Sequence, residues 1–183
     1  MDKSAENYIR FKNGIDGAFD EIMNELFHSL VFFINRYVRD VHTAEDIAID
    51  TFADLVVNPD RYNFKVTLKT YLFMLGRSRA LDYVRRHRKK AATSLSELSE
   101  LSSDEEMLEE IVLADDRKRA VSGAVMKLTR DMRDAVHLVY FEDMSYTEAA
   151  KVMKKTRKQV DNLLYRAKKE LREILGEEGK LLL

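Results

Sequence analysis

Eight residues near the C-terminal end carry side chains suited to nucleic acid: Arg157, Lys158, Gln159, Asp161, Asn162, Tyr165, Arg166 and Lys169. The cations suit phosphates, and the amides and guanidinium can read base edges. Between them Val160, Leu163, Leu164, Ala167 and Leu171 recur at helical spacing, so the two sets take opposite faces of one helix. A second basic group, Arg77, Arg79, Arg85 and Arg86, ends an earlier helical pattern. Just upstream, the loop 58–66 mixes Tyr62 and Phe64 with Asn63 and Lys65, a composition able to stack an unpaired base beside a cation.

Two helix-start signals set the position of the first group. Ser145 with Glu148 and Thr156 with Gln159 have the capping-box spacing, and the boxes begin eleven residues apart. Only about three residues remain for the turn between the helices, and Ala149 and Ala150 permit a close crossing. This is the sequence form of a helix-turn-helix. An ordinary αα-hairpin satisfies the same apolar pattern, but its outer face more often mixes charge signs.

The formal net charge of −1 conceals strong segregation. Residues 77–90 hold seven Lys or Arg against one Asp. Residues 91–116 hold nine acids and no base, and 154–172 hold eight bases against two acids. A single charge run usually marks a solvated face, whereas two basic blocks around an acidic, Ser-rich stretch favour DNA phosphates as the partner. The acidic stretch limits indiscriminate binding.

The elements that carry these groups read as helices throughout. One proline and six glycines supply little turn chemistry, and strand-like alternation is scarce. Asp16 is placed to cap a helix with Phe19, Ile22, Met23, Leu26, Phe27, Leu30, Ile34 and Tyr37 inward; Phe32 and Phe33 belong to the same core helix. Thr43 with Asp46 resembles a capping box before Ile47, Ala48, Thr51, Phe52 and Leu55. Pro59 ends that helix at or before Asn58. Thr67 starts another, with Leu68, Tyr71, Leu72, Leu75, Ala80 and Val84 inward.

The expected fold is all-α, with two small helical domains joined by a flexible linker. The boundaries are 1–90, an acidic linker over 91–116, and 117–183 with helices near 117–128, 130–141, 146–153 and 157–175. Residues 104–114 form a candidate short acidic helix.

Several function classes are excluded or disfavoured. There is no Gly-x-x-x-x-Gly-Lys phosphate loop, G-x-G-x-x-G, H-E-x-x-H or G-x-S-x-G, so no catalytic motif is present and no cofactor is implied. Cysteine is absent, which removes thiol chemistry and cysteine metal sites. His28, His42, His87 and His137 lack metal-ligand spacing. No apolar run approaches the roughly 20 residues of a membrane span, and the first residues lack a signal-peptide core. A soluble cytoplasmic chain is expected.

In order along the chain, G-I-D-G-A-F (14–19), A-E-D-I-A-I-D-T-F (44–52), Y-L-F-M-L-G-R-S-R-A-L-D-Y-V-R-R (71–86), L-T-R-D-M-R-D-A-V (128–136) and the 145–171 unit resemble bacterial sigma factors of the extracytoplasmic-function (ECF) group. The resemblance covers about residues 12–175. It implies a promoter-specificity subunit that joins core RNA polymerase through the β′ clamp helices and β flap. It also implies promoter DNA as ligand and an anti-sigma protein as a further partner. Asp46, Ile49 and Asp50, with Asp54 on the same acidic stripe, would then dock on polymerase. Tyr62, Asn63, Phe64, Lys65, Tyr71, Arg77, Ser78, Arg79, Arg85 and Arg86 would hold the −10 strand. The eight residues named first would read the −35 element. The family often has Gln, Trp, Asn and Gly where Ile49, Tyr71, Ser78 and Lys154 stand. Two other readings accommodate part of the pattern: a stand-alone helix-turn-helix regulator, and a sigma-derived adaptor that no longer initiates.

Overall fold

In the computed structural model, residues 3–93 and 116–176 are described. These residues are helical or in connecting turns, with no strand among them. The chain divides into two compact units, Met1–Ser99 and Glu100–Leu183. Most of the expected linker and the expected helix over 104–114 lie outside the described residues.

The first unit is built on α2 (Ala18–Val38), against which α1 (Lys3–Lys12), α3 (Val41–Val57) and α4 (Leu68–Thr93) pack. Ile22, Leu26, Leu30, Phe33 and Ile34 of α2 are almost wholly buried. So are Ala48, Thr51, Phe52 and Leu55 of α3, and Leu68, Leu72, Phe73 and Ala80 of α4. Gly76 lies at a close approach of α4 to α2: a Cβ there would meet Leu30 Cδ1 at 3.0 Å and Ile34 Cδ1 at 3.1 Å, so those side-chain ends would have to give by a few tenths of an ångström.

The helix starts differ from the sequence expectation in two places. Gly17 (φ 76°), not Asp16, occupies the cap position of α2, and no side chain bonds there. The α3 cap is Asp40, whose carboxylate accepts from the Thr43 amide at 2.7 Å, so the Thr43–Asp46 spacing is not the box it resembles. Hydrogen bonds from the Thr43 side chain and amide hold the Asp40 carboxyl below the usual carboxylate range. Thr67 does open α4, accepting from the Thr70 amide at 3.1 Å.

Helix α1 was not anticipated, because its apolar positions are few: Ala5 and Tyr8 are buried alongside Ser4 and Asn7. Tyr8 is its anchor. The hydroxyl is shared between the carbonyls of Leu55 and Pro59, each at 3.0 Å, and ties α1 to the end of α3. The ring packs on Tyr62 at 5.5 Å.

Among its described residues the second unit holds α5 (Asp116–Lys127) and α6 (Arg130–Val136), which runs on into a π turn, His137–Phe141. The pair α7 (Tyr146–Met153) and α8 (Arg157–Leu175) follows. Met132, Ala135, Leu138, Ala149, Val152, Val160, Leu164 and Ala167 form its core. At the π turn the buried His137 Nε2 lies 3.2 Å from the buried Glu142 carboxylate, which brings together the two ends of the turn.

Burial, reinforced by Tyr71 and by the Asp60 and Asp54 carboxylates, pushes the Tyr8 phenol from about 10 up to about 12. The folded state therefore binds this proton more tightly than the unfolded chain does. The resulting stability is complete below about pH 10 and is lost between 10 and 12, a decline of roughly 2–3 kcal/mol. Tyr8→Phe should cost about 1–2 kcal/mol at neutral pH through two under-satisfied carbonyls, and should remove this alkaline component. Denaturant unfolding of both proteins at pH 8 and pH 11 checks both effects.

Candidate nucleic-acid interface

Both boxes of the second unit close as their spacing requires. The Glu148 amide donates to Ser145 Oγ at 3.2 Å while the Ser145 amide donates to Glu148 Oε2 at 2.9 Å. In α8 the Gln159 amide donates to Thr156 Oγ1 at 3.2 Å, and the Thr156 amide to Gln159 Oε1 at 2.8 Å. Gln159 is thus half committed to the cap, and only its amide nitrogen is left to face a ligand. Between the helices Lys154 takes the left-handed conformation (φ 54°, ψ 46°) that glycine would adopt without strain. Lys155 reaches back to Asp131 of α6 at 2.9 Å and fixes the turn on the rest of the unit.

This geometry leaves Arg157, Lys158, Gln159, Asp161, Asn162, Tyr165, Arg166 and Lys169 all exposed, while Val160, Leu164, Ala167 and Leu171 are buried. Tyr165 is 74% exposed. Sequence reasoning missed the continuation of this surface. Tyr165, Lys168, Lys169, Arg172 and Glu173 line a shallow groove along the second half of α8. Lys168 is held 5.3 Å over the Tyr140 ring, and its hydrogen bond with that hydroxyl raises its pKa. Lys168 and Arg172 belong to the 154–172 basic block, so charge alone could have flagged them. The Tyr140 contact is long-range and had no local signal.

In the first unit, Asp46, Ile49 and Asp50 are exposed on α3, and Ile49 is 53% open. Val56 and Val57 extend this face with apolar surface. Asp54 is a correction. It is buried, and its Oδ1 accepts from Arg61 at 2.8 Å and from Asn58 at 3.0 Å, with Arg79 at 3.6 Å. The i+4 spacing put it in line with Asp46 and Asp50, but the drift of 3.6 residues per turn brings it under the following loop.

That loop presents part of the expected −10 set. Asn63, Phe64 and Lys65 are exposed, with Phe64 in the left-handed region at φ 60°. Tyr62 is the second correction: it is 3% exposed, with its hydroxyl on the Val66 carbonyl at 2.9 Å. It forms the floor beneath Phe64 (4.6 Å) and packs on Tyr71 (5.3 Å). Burial and Asp54 raise the Tyr71 phenol. On α4, Arg77 donates to the Tyr37 hydroxyl at 3.0 Å, and Ser78 and Arg79 are half-buried. Arg85 and Arg86 are exposed, with Arg85 3.2 Å from Asp82. Among the described residues there is no cluster of three or more metal-ligating side chains, and no helix is long and apolar enough to cross a membrane.

An all-helical chain with a basic helix-turn-helix in one unit and a basic helix below an aromatic loop in the other belongs to the DNA-binding class. Comparison with known proteins makes this specific. Residues 23–90 match the family description "Sigma-70 region 2", and 118–171 match "Sigma-70, region 4". The chain is 25% identical over 160 residues to the ECF RNA polymerase sigma factor SigM of Bacillus subtilis (strain 168), covering 87% of this chain and 94% of that protein. To SigW of the same organism it is 23% identical over 174 residues, covering 91% and 93%. Its fold resembles the sigma factor RpoE of Bartonella quintana, solved with the anti-sigma factor NepR. That match has a TM-score of 0.64 at 20% identity, over 88% of this chain and 98% of that one. CnrH, solved with the cytosolic domain of CnrY, gives a TM-score of 0.61 at 19% identity over 94% of each chain. The chain belongs to the sigma-70 family and, within it, to the ECF sigma factors.

The left-handed Lys154 tests the turn directly. A non-glycine residue there costs roughly 1 kcal/mol. Lys154→Gly should stabilise the second unit by about 0.5–1 kcal/mol, part of the gain being offset by the freer unfolded chain. Thermal unfolding of the two proteins measures this.

Proposed function

We propose that this chain directs core RNA polymerase to specific promoters, using residues 1–90 for polymerase and the −10 element and residues 117–183 for the −35 element. The observation that carries the reading is the outer face of α8, where all eight candidate contact residues are exposed behind a closed capping box. Its first turn enters the major groove, where Arg157, Lys158 and Asn162 read base edges. Tyr165, Arg166 and Lys169 follow the backbone.

In the first unit, Asp46, Ile49 and Asp50 form the polymerase-docking face, with carboxylates for basic partner side chains and an apolar centre. Phe64 stacks an unpaired −10 base on the floor made by Tyr62 and Tyr71, while Asn63, Lys65, Arg85 and Arg86 hold the strand. Binding free energy supplied jointly with polymerase offsets the unpairing cost, and no covalent step by this chain is needed. A stand-alone regulator leaves the region 2 unit without a role. Since RpoE and CnrH were solved with NepR and CnrY, an inhibitory partner of the anti-sigma kind is proposed for this chain as well.

Run-off transcription on fragmented genomic DNA with purified core polymerase tests the whole reading, with discrete new starts as the expected result. Reversing Asp46 and Asp50 to Lys should weaken core-polymerase binding by about tenfold or more, with the helical circular dichroism unchanged. Undiminished co-purification would remove this face from consideration.

The two kinds of contact on α8 should fail differently. Arg157→Ala or Asn162→Ala should relax the choice of −35 sequence by about 1–3 kcal/mol. Lys169→Ala should weaken all −35 sequences alike and flatten the salt slope by about one. Holoenzyme binding to a −35 library at several salt concentrations separates these outcomes.

A further inference from the structure

The Asp54 carboxylate gathers groups from three places. Asn58 comes from the end of its own helix, Arg61 from the loop, and Arg79 from α4, and all three converge on Oδ1. Its side chain is 8% exposed, so the charge is largely withdrawn from water and needs these partners. Arg61 is different: 62% of its side chain remains open although one terminal nitrogen is fixed on Asp54 at 2.8 Å. A long, flexible cation is thereby held at one nitrogen while most of its side chain stays open. Three residues on stands the exposed Phe64. Tyr71, packed beneath the loop, feels Asp54, Arg61 and Arg79 together. Arg61 directly precedes Tyr62, whose ring packs on both Phe64 and Tyr71, so the cation borders the aromatic floor.

A clip needed only for folding could use any buried pair. It would not leave its cation mostly open on the loop that presents the aromatic platform. We propose that Arg61 contacts a base of the separated −10 strand and that Asp54 is the positioning residue that orients it. This rests on the promoter reading above. Pre-setting the guanidinium removes the ordering cost that a free arginine would incur on binding, so contact with the strand becomes selective for geometry as well as charge.

The test uses holoenzyme made from the full chain and core polymerase, transcribing a promoter library randomised in the −10 element. Asp54→Asn keeps the side-chain volume and removes the charge. The preference for the best −10 sequences over the library average should fall by about fivefold or more. Arg61→Ala should reproduce that fall, and the double variant should go no further. A variant whose yield drops equally on every sequence, with the preference intact, overturns the proposal. Should Asp54→Asn fail to fold, Arg61→Ala at its open position decides alone, and unchanged preference there also overturns it. If wild-type holoenzyme starts nowhere in the library, the promoter reading itself fails and the inference falls with it.

Discussion

In a chain made almost wholly of helices, every helix end must find partners for its free backbone groups within a few residues. That constraint shapes this molecule more than any single core contact. Between α7 and α8 the turn leaves space for little else, so the two boxes at Ser145 and Thr156 fix where each helix begins. The rotation of α8 about its axis follows from that start, and with it the set of side chains turned outward. At the end of α3 the Tyr8 hydroxyl takes up the carbonyls of Leu55 and Pro59, and Asn58 turns back to Asp54. The aromatic loop departs from that closed end. In both units the proposed recognition element is an outgrowth of a satisfied helix terminus.

Charge is distributed on the same plan. The net value near zero is the sum of fields that act in separate places. Acids on the outer face of α3 remain in water, where a basic partner can reach them, whereas Asp54, one turn beyond Asp50, is spent internally on two arginines and an amide. The distinction is one of desolvation. A carboxylate exposed on a helix can be exchanged between water and partner at little cost. One that is nine-tenths buried is committed to the groups that surround it. Sharing a helical stripe therefore says little about sharing a role.

The fold was legible wherever pattern and cap agreed. The four described helices of the second unit, the boxes of α7 and α8 and the buried set of α3 follow from apolar spacing and the S-x-x-E and T-x-x-Q signals. The starts of α2 and α3 were misread because several cap-competent residues stand close together in each place, and which of them bonds depends on how the preceding chain arrives. Helix α1 escaped because its stabilisation is tertiary: one buried tyrosine and a few small or polar residues leave no apolar stripe. Within the site, the exposure of the α8 face was readable from periodicity. The burial of Tyr62 and Asp54 was not, since both are covered by a loop whose path no periodicity describes.

Among the described residues four non-glycines hold positive φ; Phe64 and Lys154 belong to the proposed recognition elements, while Arg39 and Asp143 lie outside them. Phe64 and Lys154 hold positive φ, a conformation that disfavours residues with a Cβ, and Arg157 sets a cation at the positive end of a helix. Each is a loss of a fraction of a kcal/mol to about 1 kcal/mol for the free chain. None is relieved by the contacts around it. Over-determination by neighbours explains how the first two persist: Phe64 is backed by Tyr62 and by the closed loop, and Lys154 is bracketed by the α7 carbonyls and the Lys155–Asp131 pair. On the proposed promoter reading, an anion or a guanine edge opposite Arg157 would offset its cost. Stability alone would favour a neutral or acidic residue at that position, so the side chain there is better explained by the groove than by the helix that bears it.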